Sequence, residues 1–424
     1  MRLVGAAAAL LSIVALASCG ADTKPAKSKV PVVRLWSSLP HRGPQRIQSL
    51  AVERAVRGAV FDLRHREGKY HVEYIALDSS SPGESGWDPG VSAANARRAS
   101  LDPSTFAYIG EIDSGATAVA LPILNQAGIL QLTPSATAVG LTTPGVGAGP
   151  GEPYQYYPSG LRTLVRLTPR DSLQGALIPV LAKSRGCRSL AVMGDGSIYG
   201  AGLGDVIESE ATARGLKVTF SKTVDPRDSG YAALIHSVKA GCLVYSGEPG
   251  KAAVRVVTDA ARANPHAQII GPDALVNGAF ANPAQGGISE SLARRVVLVG
   301  TVGPASGYPS AGKYLLIHLG TRSGSLVAPS VVSGFAAAEL AVGCQSRVPL
   351  LKGLPDRAGV LACVMGHNHV SRALGVYRAL RRGDTTLHAY SLFGIKRGRI
   401  GLIMSLHAPR PLPTVDGNAA TPTN

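Results

Sequence analysis

Several things are scarce in this chain of 424 residues, and each scarcity narrows what it can be. Aromatics make up 5% of it and charged residues 17%. With hydrophobic residues at 45%, the composition is that of a folded chain rather than a disordered one. Acidic residues number 27 against 43 Lys and Arg, a formal net charge of +16. The basic residues are dispersed; the densest group, Arg378, Arg381, Arg382, Lys396, Arg397 and Arg399, has little aromatic interleaving. That is a solvated basic surface, and no nucleic-acid partner is expected. Long apolar runs are missing after the first 16 residues, so no other segment has the roughly 20 residues needed to cross a bilayer.

Catalytic signatures are missing too. There is no G-x-S-x-G, and in GDGSIYG the serine comes too late for a nucleophile elbow. No S-x-x-K occurs together with K-T-G. GHNH (366–369) spaces two histidines at i, i+2 with no third ligand evident, which reads as a solvated loop and not a metal site. GLGDVIESE, from Gly202, lacks the Lys-Ser/Thr of a phosphate loop. The expectation is a protein without enzymatic activity, cofactor or metal.

The N-terminus is informative. Arg2 precedes an apolar run from Leu3 to Leu16, and Leu16-Ala17-Ser18-Cys19 follows. This is a secretory signal, and it is similar to the bacterial lipobox, in which Cys19 becomes the lipidated (palmitate-type) first residue of the mature chain. The boundaries expected are a signal peptide at 1–18 and a flexible tether at 19–30. Localisation would then be extracytoplasmic, on the outer face of the cell membrane. In that oxidising setting Cys187, Cys242, Cys344 and Cys363 admit three connectivities. The pairing Cys187–Cys242 with Cys344–Cys363 is favoured, because the first two each sit just before an apolar strand in the same half.

From Val30 onward, strand-like and helix-like segments alternate twice over, predicting an α/β fold with two doubly wound parallel-sheet lobes joined by crossover strands. The expected limits are 31–160 and 305–370 for lobe 1, 161–304 and 371–407 for lobe 2, and 408–424 for a disordered Pro/Thr/Asn-rich tail. LRTLVRLTP is read as a crossing strand.

Two stretches stand out: GEIDSGATAV (110–119) and QLTPSATAVGLT (131–142). Each follows an apolar strand and opens a run of small, hydroxylated residues. At the carboxyl ends of parallel strands such helix starts offer amides to an anion, although Ser and Thr serve as caps there more commonly.

The ordered set YIGEIDSGATAVALPILNQAGILQLTPSATAVGLT, RLTPRDSLQG, AVMGDGSIYGAGLGD, LVYSGE and IIGPDALVN resembles the leucine/isoleucine/valine-binding protein family. These are amino-acid-binding proteins of ABC importers with a type I periplasmic fold, and the resemblance runs from about Val32 to Leu402. It implies that Ser114, Ser135, Ala136 and Thr137 hold a ligand's α-carboxylate, Asp273 its ammonium, and Tyr199 covers it. Trp36 to Leu39 would border the ligand side chain. An aromatic is common where this chain has Glu248, which opens the site to a polar or cationic side chain or to a ligand that is not an amino acid. The implied protein is a monomer working with ABC permease subunits; a ligand-sensing module regulating a partner is the alternative on the same fold.

Overall fold

The computed structural model describes residues 30–63, 70–82, 86–301, 305–321, 329–407 and 411. The expected signal peptide, Cys19, the expected tether up to residue 29 and the expected tail, Pro411 apart, lie outside these. From Pro31 the chain is a single unit built as two lobes.

The first lobe begins with strand β1 (Val32–Leu39), helix α1 (Arg46–Leu63), β2 (His71–Asp78), α2 (Pro89–Leu101), β3 (Thr105–Ile109), α3 (Ser114–Gln126), β4 (Leu130–Thr133) and β5 (Leu164–Arg166). Its five strands lie in the order β2-β1-β3-β4-β5, all parallel, with Val33 opposite Val72 and Leu35 opposite Ala107. The helix starts follow local chemistry. Asp88 caps α2 by accepting from the Val91 amide at 2.8 Å, with Pro89 at the first helical position.

The second lobe holds α4 (Asp171–Ser184), β6 (Ser189–Gly194), α5 (Ile198–Ala213), β7 (Lys217–Thr223), α6 (Tyr231–Ser237), β8 (Cys242–Ser246), α7 (Lys251–Ala263), β9 (Gln268–Gly271), α8 (Gly278–Ala281), α9 (Glu290–Ala293) and β10 (Val296–Gly300). The chain then returns to the first lobe with α10 (Ser310–Thr321), α11 (Ser330–Gln345), α12 (Arg357–Val364), β11 (Asn368–Ser371) and β12 (Gly375–Arg378). It ends in the second lobe with β13 (Ala389–Lys396) and β14 (Arg399–His407). The second sheet runs β14-β13-β10-β9-β8-β6-β7, parallel except where β13 meets β10 and β14.

Each sheet is covered on both faces, which explains the continuous apolar runs of its central strands. In the first lobe α1, α11 and α12 bury Val33, Leu35, Phe106 and Leu130 on one side, while Trp36 and Tyr108 pack beneath α2 and α3 on the other. In the second, one core gathers Leu243, Val256 and Leu298, and the other gathers Leu190, Leu203 and Val244.

Two expected boundaries move. Leu164–Arg166 belongs to the first sheet, because β5 pairs with β4, so the crossing comes after it. The first lobe also keeps β11 and β12: Tyr377 and Ala379 are buried in its core, and the His369 ring bonds the Val364 carbonyl at 2.8 Å. Its return segment therefore runs past residue 370 to the approach of β13. Trp36 does not border a cleft; it is buried under the cation of Arg98.

The two disulfides pair as expected, Cys187 with Cys242 and Cys344 with Cys363. Their sequence separations of 55 and 19 predict losses of about 4 and about 3 kcal/mol on reduction, from released loop-closure entropy. Thermal unfolding with and without a reductant checks this. Cys187→Ala/Cys242→Ala is expected to lower Tm more than Cys344→Ala/Cys363→Ala.

Candidate functional site

Loops at the carboxyl ends of strands in both lobes face one another around a cavity of about 40 Å³. That is room for roughly two or three waters. The first lobe contributes Ser114 from the start of α3, Ser135 and Thr137 from the loop after β4, and Gln45 from the turn before α1. The second contributes Tyr199 after β6, Glu248 after β8 and Asp273 after β9. The lobes touch on either side of it. Asn277 donates to the Pro44 carbonyl at 3.0 Å, and Gly202 of α5 packs on Gly147, whose carbonyl oxygen would lie 2.5 Å from any Cβ at 202.

Six of the seven expected ligand residues thus meet in one place. Ala136 does not line the cavity: its amide donates to Thr133 Oγ1 at 2.9 Å and its carbonyl accepts from Arg166. The hydroxyl-rich turns are also less bare than the sequence suggests. The Ala138 amide donates to Ser114 Oγ at 3.2 Å, tying the two stretches together. What faces the cavity from this side is hydroxyls, Gln45 and Asp113, together with the first turn of α3, which the Asp113 side chain leaves uncapped.

Arg166 organises this wall from below. It is fully buried, and its Nε sits 2.8 Å from Asp384. Its two terminal nitrogens donate to the Ala136 and Ala138 carbonyls and to Thr142 Oγ1, at 3.1, 3.0 and 2.7 Å. Arg170 completes the pairing of Asp384 at 3.0 Å.

The opposite wall is acidic. The Tyr199 hydroxyl donates to Asp273 Oδ1 at 2.6 Å. Burial raises the Asp273 carboxyl above the usual carboxylate range, while the Tyr199 hydroxyl pulls the other way. Tyr199, itself pushed up by burial and by the Asp273 charge, stays a phenol and a donor. Glu248 is raised by burial and then by the charge of Asp113, and its backbone amide is fixed on Asp195 at 2.6 Å. Asp113, unforeseen as a cavity residue, is raised by burial and accepts from Gln45. Asp171 lies close by, raised by burial and by Asp273. Among the described residues no Lys, Arg or His lines the cavity.

Just outside it, burial pushes Glu111 up to about 8, with Tyr108 donating to it at 2.7 Å. Its folded value lies above the ordinary 4.5, so the folded chain holds a proton that the unfolded chain gives up. Stability from this group is full below about 4.5 and falls as pH rises towards 8; Asp113, Glu248, Asp171 and Asp273 act in the same direction. Thermal melts of the ligand-free protein are expected to show Tm falling from pH 5 to pH 8. Glu111→Gln is expected to flatten that slope.

Two facing lobes with a solvent-poor, polar crevice between them define a protein that closes around a small solute. The chain belongs to the periplasmic binding protein family, which matches residues 38–307. It is 24% identical, over 85% of its length and 91% of the relative's, to the Leu/Ile/Val-binding protein BraC3 of Rhizobium johnstonii. Among solved structures it superposes on a leucine-binding protein of Thermotoga maritima with a TM-score of 0.72 at 18% identity, covering 88% of this chain and 99% of that one. A solute-binding protein of an ABC transporter from Rhodopseudomonas palustris, in complex with 3,4-dihydroxybenzoic acid, gives a TM-score of 0.67 at 14% identity over 90% and 98%. These neighbours share the type I periplasmic binding protein fold, and the relatives are binding proteins, not enzymes.

Proposed function

We propose that this chain captures a small organic solute bearing an ammonium group, such as an amino acid, and delivers it to the permease subunits of an ABC transporter. The observation that carries the reading is Asp273 with Tyr199 on one lobe, across a shared cavity from Ser114, Ser135 and Thr137 on the other. A charged nitrogen between Tyr199 and Asp273, and a polar end against the hydroxyls, requires both lobes at once. Such a ligand favours the closed state because only closure supplies both sets of contacts. The names of the relatives, which bind leucine, isoleucine and valine, support an amino-acid-like solute.

The protein works outside the cytoplasm, held by a lipid at Cys19. Among the described residues no helix is long and apolar enough to cross a membrane. Two experiments test this. Mass spectrometry of the denatured, freshly purified protein identifies any solute carried through purification, and calorimetry measures its rebinding. A solute without a basic nitrogen contradicts the reading. Cys19→Ala is expected to shift the protein from the membrane fraction to a soluble one; a protein that stays in the membrane fraction contradicts the anchor.

A further inference from the structure

We propose that the solute carries two positively charged nitrogens, one held by Asp273 and the other by Asp113 and Glu248 together. This rests on the binding-protein reading above and names the class of ligand it would take. Asp113 comes from the first lobe, at the start of α3, and Glu248 from the second, after β8; both line the cavity. Their carboxyls lie within hydrogen-bonding reach of each other. Asp113 is 3% exposed; one of its oxygens accepts from Gln45, and Oδ2 is buried with no donor.

Two carboxyls meeting across a cleft share a proton, in keeping with the raised values of Asp113 and Glu248, unless a positive charge takes its place between them. Among the described residues no basic side chain lines the cavity. Among the described residues no three His, Cys, Asp or Glu side chains gather to hold a metal ion either. The missing charge is therefore assigned to the ligand. An ammonium or guanidinium group donates to both carboxyls at once and, because they belong to different lobes, locks the cleft shut. A leucine side chain offers nothing at this position. A benzoate-type acid adds another negative charge to a cavity already lined by three carboxyls.

The test is calorimetric titration of the purified full chain with L-lysine, L-ornithine, 1,4-diaminobutane, L-leucine and benzoate. At least one doubly cationic probe is expected to bind about 100-fold or more tightly than leucine or benzoate. The two amino acids set against the diamine tell whether a carboxylate is also required. Glu248→Gln and Asp113→Asn are each expected to weaken the dication by about 10- to 100-fold. Neither should lower the Tm of the ligand-free protein, which separates a lost contact from a damaged fold. The proposal is overturned if leucine or benzoate binds as tightly as every dication, if no dication binds, or if both variants leave dication binding unchanged. Leucine that binds as tightly as every dication, and whose binding is lost in Asp273→Asn, would overturn this inference and leave the binding-protein reading standing. A protein that carries no solute and binds none of the probes would remove both.

Discussion

Asp273→Asn is expected to lower affinity for the physiological solute by 30-fold to several thousand-fold and to remove most of its thermal protection. The exchange keeps the shape of the side chain and deletes the charge. Losing one partner of a hydrogen-bonded charge pair at a desolvated interface costs about 2–5 kcal/mol, and each 1.4 kcal/mol is tenfold. The ligand-free variant should be no less stable than the wild type, because the carboxyl it loses is already held above its ordinary range by burial. A stable fold with lost binding is therefore the signature. Tyr199→Phe removes the 2.6 Å hydroxyl donor but not the charge, and is expected to weaken binding about tenfold. Calorimetry and thermal melts on the same preparations separate the two effects.

Arg166→Met should do the reverse and damage the fold first. The guanidinium is fully buried and joins Asp384 to the carbonyls beneath Ser135–Ala138. Its removal leaves two buried carbonyls without these donors and leaves Asp384 with Arg170 as its remaining charge partner. Breaking a buried pair by deleting one member costs about 3–5 kcal/mol, so Tm is expected to drop by roughly 10 °C. The loop carrying Ser135 and Thr137 loses its support at the same time, so binding weakens even below the melting transition. In Arg166→Met/Asp384→Leu no carboxylate is stranded, and the double variant is expected to be less damaged than the two single changes summed.

Much of the architecture was legible because doubly wound lobes leave a simple trace: apolar strands alternating with helices whose starts carry Ser, Asp or Pro. The stretches holding Ser114, Ser135 and Thr137 were legible for the same reason, whereas Tyr199, Glu248 and Asp273 came from the resemblance to the leucine/isoleucine/valine-binding family. Where the first crossing falls was not legible, since a three-residue strand such as Leu164–Arg166 looks the same in either sheet. The expected limit at residue 370 cut through the hairpin β11–β12 and gave β12 to the other lobe, because its alternation of buried and exposed residues says nothing about which core it faces. Arg166 had a signal, a lone arginine inside the apolar Leu164-Val165-Arg166-Leu167, but its partner Asp384 lies 218 residues further along. Asp113 reads as the cap of α3 by position. Only the structure turns its side chain away from the helix, towards Gln45 and Glu248.

A crystal structure of the protein with the solute recovered from it tests the central claim most directly. The account predicts a positively charged nitrogen within about 3 Å of the Asp273 carboxylate, and a polar end against Ser114 or Thr137 on the opposite lobe. A solute seated elsewhere, or held by one lobe alone, would contradict it.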